Sequence, residues 1–176
     1  VIKSVEAVMR LALMYDDDES RYLFDFTQSQ FVVVDEVDEA LKKHGLGLRT
    51  AVARQWVENA GRMTERYDGD PRKIFDNVTD YDEALTHIQN DGKSGGFKGF
   101  QHKMTSMIIY YLLDDKLIHG FDHFPIPVDL HVMRMSIAHE MVTFPNADES
   151  QDLFQPEVTT ALRELYVDYA RRHDVS

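Results

Sequence analysis

Two residues in the second half of the chain have the type and setting to do chemistry. Lys103 lies near the start of an apolar helix, in the run Phe100-Gln101-His102-Lys103-Met104. A lysine there feels the positive end of the helix dipole, which favours its neutral, nucleophilic form. Its plainer reading is a solvated helix lysine. Asp129 follows the segment Phe121 to Val128, which Pro125 and Pro127 force to be extended, and it opens the next helix. An aspartate at that point is first of all an N-cap. It is also a carboxylate fixed in place, able to face a reacting centre. The histidines are a rival set: His119 and His123 with Asp122 in the extended segment, His131 and His139 one helix later. His139-Glu140 lacks the second histidine of a zincin motif, so a metal-dependent helical hydrolase is the weakest reading and no metal is expected. The acidic run Asp16–Glu19 reads as a solvated turn rather than a ligand set.

The elements that must hold these residues are helices. From Val1 to Tyr15, the residues Val5, Val8, Met9, Ala12 and Leu13 recur at helical spacing. Tyr22 to His44 is ambiguous. Phe31-Val32-Val33-Val34 has strand composition, yet Val33, Val34, Val37 and Leu41 fit a helix face, and helix is the reading adopted. Gly45-Leu46-Gly47 breaks the chain. A strongly amphipathic helix then runs from about Val52 to Tyr67, with Trp56 as core, and Asp68-Gly69-Asp70-Pro71 stops it. Ile74, Phe75 and Val78 make a short helical turn. Asp80 is the predicted N-cap of a helix ending at Asn90, with Glu83 as capping-box partner. Gly92, Gly95, Gly96 and Gly99 make the next stretch the most flexible by composition, without the GxxxxGK[ST] spacing of a phosphate loop. An apolar helix follows, with Met104, Met107, Ile108, Tyr111 and Leu112 on its face. The helix after Asp129 carries Val132, Met133, Ile137 and Met141. The last, from about Pro156 to Arg172, has Val158, Leu162, Leu165, Tyr166 and Tyr169 inward. The expectation is an all-α domain.

Composition narrows the classes. The chain has 176 residues and no Cys, which removes disulfides, zinc ribbons, iron–sulfur clusters and thiol catalysis together. That fits a reducing compartment, cytoplasmic or, in a eukaryote, nuclear. No apolar run approaches the ~18–20 residues of a membrane span, so no membrane partner is expected. The net charge of −12 opposes broad electrostatic attraction to nucleic acid. Its distribution is uneven, however. Residues 92–113 contain no acid, while Lys93, Lys98 and Lys103 make them the one sizeable cationic island.

These pieces, in this order, resemble the helix-hairpin-helix DNA glycosylases of the endonuclease III superfamily. Gly99, Phe100, Lys103 and Thr105 fall near the family's hairpin pattern, and Val128, Asp129, His131, Val132 and Arg134 match its Val-Asp-x-His-Val-x-Arg block. The helix from Val52 to Tyr67, with Gly69 and Pro71, is similar to the segment preceding the hairpin. Lys98 stands where the family has Pro, Gln101 where it has its second Gly, and Leu130 where it has Thr. The resemblance covers about residues 49–172, leaving 1–48 as an acidic N-terminal helical segment and 49–176 as the glycosylase-like core. It implies two helical lobes around a cleft, in the branch without an iron–sulfur cluster or other cofactor.

What it implies for function is base excision from damaged double-stranded DNA by a monomeric enzyme. Asp129 would stabilise the positive charge that builds on the sugar, and Lys103 would attack the sugar carbon to form a Schiff base, giving strand-cleaving (AP lyase) activity at an abasic site. Lys93, Lys98, Gly99, Phe100, Gln101 and His102 would contact DNA, with His131 and Arg134 in support. The alternative is a catalytically silent helix-hairpin-helix binding or scaffold protein.

Overall fold

The computed structural model describes residues 4–47, 50–78, 80–89, 96–142 and 156–174. Among them are eight α-helices, two 3-10 helices and no strand, so the chain is all-α as its periodicity predicts. No helix among the described residues is long and apolar enough to cross a membrane.

The chain divides into two compact units, Val1–Asp76 with Asn90–Gly99, and Asn77–Gln89 with Phe100–Ser176. This division differs from a boundary near residue 48. The acidic N-terminal segment supplies most of the first unit's buried core, and Ala53 of the amphipathic helix that follows completes it.

In the first unit, α2 (Phe26–Ser29) and α3 (Val34–Lys43) pack on α4 (Thr50–Tyr67), while α1 (Ser4–Asp16) packs on a 3-10 helix (Arg21–Phe24) that in turn meets α2. Met14, Leu23, Val37, Leu41, Leu46 and Ala53 form the core. Trp56 joins it from one edge, its indole N–H donating to the Leu23 carbonyl at 2.9 Å and its ring meeting Phe24 edge-on. The inward stripe of α1 is Ala7, Leu11 and Met14, whereas Val8, Met9 and Leu13 face solvent. A helix apolar nearly all round offers several stripes, and spacing alone picked the wrong one. Phe31 and Val33 are exposed at 82% and 65%; helix begins only at Val34, so the predicted helix of this region is two short turns followed by α3.

The acidic run is more than a solvated turn. Asp17 accepts from Lys43 Nζ at 2.8 Å and lies 3.0 Å from His44 Nε2 and 3.1 Å from Ser20 Oγ. Lys43 foremost, then the Glu19 N–H, hold the Asp17 carboxyl well below the ordinary range. The knot joins the end of α1 to the end of α3. α4 stops as expected, with Asp68 and Gly69 in left-handed conformations (φ 53° and 77°), and Asp70 caps the 3-10 helix Pro71–Phe75.

In the second unit, α5 (Tyr81–Ile88) packs against α6 (His102–Asp114). Asp80 caps α5 by accepting from the Asp82 and Glu83 N–H groups at 2.9 and 3.2 Å. α5 ends at Ile88, and Asn90, the predicted end, lies outside the described residues. A second core joins Val128, Met133 of α7 (Leu130–Ala138) and Leu162 of α8 (Pro156–His173), with Val132, Val158 and Tyr166 against it. Three expected faces shift. The buried face of α6 is Thr105, Ser106 and Ile109, with Tyr111 exposed, because two hydroxyl residues find partners inside. α7 stops at Ala138, leaving Met141 half-exposed beyond it, and Leu165 and Tyr169 of α8 also point outward.

Candidate functional site

Asp129 is the N-cap of α7. Its Oδ1 accepts from the His131 and Val132 N–H groups at 2.9 and 3.1 Å. Pro125 and Pro127 restrict the residues just before them to extended backbone, after a left-handed bend at His123 (φ 57°), and the buried side chain of Val128 anchors the segment in the core beside Met133. With Oδ1 committed to the cap, Oδ2 turns outward and meets Lys103 Nζ at 3.1 Å. Lys103 is the second residue of α6, so the pair joins the starts of two helices within the second unit. The lysine side chain is 45% exposed and the aspartate 31%, open enough to be reached from solvent. The Val132 N–H, and after it the Lys103 ammonium, hold the Asp129 carboxyl below its ordinary value against the opposing effect of burial. An ionised carboxylate and an amine on two anchored turns, both accessible, can stabilise a cation and form a bond to an electrophilic carbon.

The other predicted residues fall differently. His131 contributes its backbone N–H to the Asp129 cap while its side chain is exposed, and Arg134 is exposed on α7. Lys93 lies outside the described residues, with Gly92 and Gly95. Lys98 and Gly99 belong to the first unit, where α4 grips them. Asn59 Oδ1 accepts from the Lys98 N–H at 2.7 Å, and Asn59 Nδ2 donates to the Lys98 carbonyl at 3.0 Å. That N–H is therefore already occupied. Gly99 has φ +84°, and a Cβ there would come within 3.2 Å of Gln55 Oε1, so this position requires glycine.

Phe100, Gln101 and His102 belong to the second unit. Gln101 is the N-cap of α6 by position but makes no side-chain capping bond; its Oε1 instead accepts from Gln89 Nε2 at 2.8 Å. His102 is half-buried, its ring nearly parallel to that of Tyr81 at 6.5 Å. Burial, then the nearby Arg163 charge, push it toward the neutral imidazole. It lines a cavity of about 320 Å³ with Tyr81, Phe121, Phe124, Arg163 and Glu164. This volume is at the small end of ligand pockets. The lining does not include Lys103 or Asp129, so the ion pair and the cavity are separate features of the second unit. Among the described residues, no three His, Asp or Glu side chains are grouped to hold a metal ion, the set around His119 to His139 included.

In each unit, several residues carried no weight in the sequence. Gln55, Asn59 and Arg62 form a polar stripe on α4 at helical spacing, and Arg62 bonds the Gly96 carbonyl as Asn59 bonds Lys98. That stripe was a readable signal beside the apolar one. Tyr81 and Ser106 had none, since their partners are distant in the chain. Compared with protein-family models, with characterised proteins and with solved structures, the chain matches none of them.

Proposed function

We propose that this chain is a base-excision DNA glycosylase of helix-hairpin-helix type, bifunctional through Lys103, acting on a damaged base flipped out of double-stranded DNA. The observation that carries the reading is the 3.1 Å pairing of Lys103 Nζ with Asp129 Oδ2 at the starts of α6 and α7. The two residues are 26 positions apart in the chain, and only the resemblance assigned both to one site.

The chemistry follows from the pair. As the bond between the base and C1′ stretches, positive charge grows on the deoxyribose, and the Asp129 carboxylate lies where it can oppose that charge. The base leaves with the bonding electron pair and takes up a proton. The proton the base gains is balanced by the one the Lys103 ammonium gives up through solvent, and the freed lone pair bonds C1′. Ring opening turns the adduct into an iminium, the Schiff base, whose formation acidifies C2′–H. Loss of that proton expels the 3′ phosphate and cuts the DNA. Base flipping brings C1′ to the pair. An acidic chain binding DNA through a few cations has strongly salt-dependent affinity.

A catalytically silent binding or scaffold protein is the second reading. It is favoured by the Lys98 N–H being held by Asn59, and by Gln101 being tied to Gln89, in the segment whose backbone would grip phosphate. The deciding experiment is borohydride trapping at low salt on duplexes carrying an abasic site, 8-oxoguanine, thymine glycol or uracil, with Lys103→Ala and Asp129→Asn alongside. The glycosylase reading expects an adduct lost in Lys103→Ala. No adduct, no base release and no DNA binding would overturn it in favour of the scaffold. Base release without an adduct would leave Asp129 at work and remove the lysine from the mechanism.

A further inference from the structure

The two halves of the ion pair are anchored in different ways. Asp129 is itself the cap of its helix, so its carboxylate and its first turn are held by the same bonds. α6 has no side-chain cap, and a helix end without one frays in its first turn, where Lys103 sits. Something else must hold that turn if the amine is to stay beside the carboxylate. The Tyr81 phenol donates to the His102 carbonyl at 3.1 Å and accepts from Ser106 Oγ at 3.2 Å. Ser106 is fully buried, and Tyr81 is the first residue of α5, whose own start is pinned by Asp80. The bond therefore runs from a turn with a side-chain cap to one without. The ring also lies along the His102 imidazole. Burial raises the phenol above its ordinary pKa, which keeps the O–H a donor through the neutral range.

We propose that Tyr81 is a positioning residue for Lys103, its hydroxyl bond to the His102 carbonyl holding the uncapped first turn of α6 so that the amine stays against Asp129. The catalytic consequence rests on the glycosylase reading; the positioning itself is a property of the pair and is measurable without DNA. Tyr81→Phe keeps the ring and its packing on His102 and removes only the hydroxyl.

The primary readout is the Asp129 carboxyl titration, followed by carbon-13 NMR on the full chain in wild type, Tyr81→Phe and Lys103→Ala. The expected result is an upward move of the Asp129 midpoint in Tyr81→Phe, toward the value in Lys103→Ala, with the helical circular dichroism unchanged. With abasic duplex DNA, single-turnover adduct formation should slow on the order of tenfold while DNA affinity holds, as misplacement of a reacting group predicts. An Asp129 midpoint identical to wild type in folded Tyr81→Phe overturns the proposal. If Tyr81→Phe does not fold, Ser106→Ala leaves the phenol in place without the donor that orients it, and should move Asp129 in the same direction by less; no movement there overturns the proposal equally. Wild-type protein that forms no adduct refutes the glycosylase reading alone, because the Asp129 titration still decides the role of Tyr81.

Discussion

Asp129 is asked to do two jobs, capping α7 with Oδ1 and presenting charge with Oδ2, and two substitutions separate them. Asp129→Asn keeps an oxygen for the His131 and Val132 N–H groups but has no charge to offer; Asp129→Ala loses both. Removing an N-cap costs about 1 kcal/mol, and an ion pair as exposed as Lys103–Asp129 contributes roughly 0–1 kcal/mol. Asp129→Ala should therefore lose about 1–2 kcal/mol of stability, and Asp129→Asn less than about 1 kcal/mol. For a chain of this size, each lost kcal/mol lowers the melting temperature by roughly 2–4 °C. Base release, unlike stability, should not distinguish the two variants. Loss of one preorganised group facing developing charge costs about 10²–10³ in rate, so both variants should be crippled alike. The assay is urea unfolding followed by circular dichroism, beside single-turnover base release on the substrate that wild type accepts. An asparagine variant as unstable as the alanine one would refute the capping argument. An asparagine variant that excises at the wild-type rate would refute the electrostatic one.

Two further outcomes follow from the geometry. Asn59→Ala frees both polar groups of the Lys98 peptide and should destabilise the first unit by about 1–3 kcal/mol, with faster hydrogen exchange at the Lys98 amide as the direct sign. Asp70, paired with Arg72 and capping the following turn, is pulled down to about 2. Because its folded value lies below the unfolded one of ~3.9, its contribution is complete above about pH 4 and is lost as the pH falls toward 2. Asp70→Asn should flatten that part of the acid-unfolding curve.

The elements whose ends are set by local chemistry were legible in the sequence. Asp80 and Asp129 announced α5 and α7, and Gly69 and Pro71 closed α4; the paired prolines kept 121–128 out of helix, but His123, left-handed at φ 57°, interrupts the extended run expected there. Orientation was less legible where apolar residues are abundant. Val8, Leu13, Tyr111 and Leu165 all have the spacing of core residues and lie outside it, because the partner that selects a face is contributed by distant chain. On α6 the selected face is Thr105 and Ser106, which no hydrophobic count would choose. Thr105 Oγ1 bonds the Gln101 carbonyl and Ser106 Oγ the Tyr81 phenol. Lys103 and Asp129 stood out singly as a helix-start lysine and an N-cap. The bond between them, and the Tyr81 contact beneath it, depend on packing between helices that no local pattern encodes.

The account turns on whether the Lys103 amine forms a covalent bond to a DNA sugar. The most direct measurement is peptide mapping by mass spectrometry of protein reduced with borohydride in the presence of abasic duplex DNA. The account predicts one modified peptide, with the reduced deoxyribose remnant on Lys103 and none when Lys103 is replaced by alanine. An adduct on another amine, or wild-type protein that carries no sugar after reduction, would contradict it.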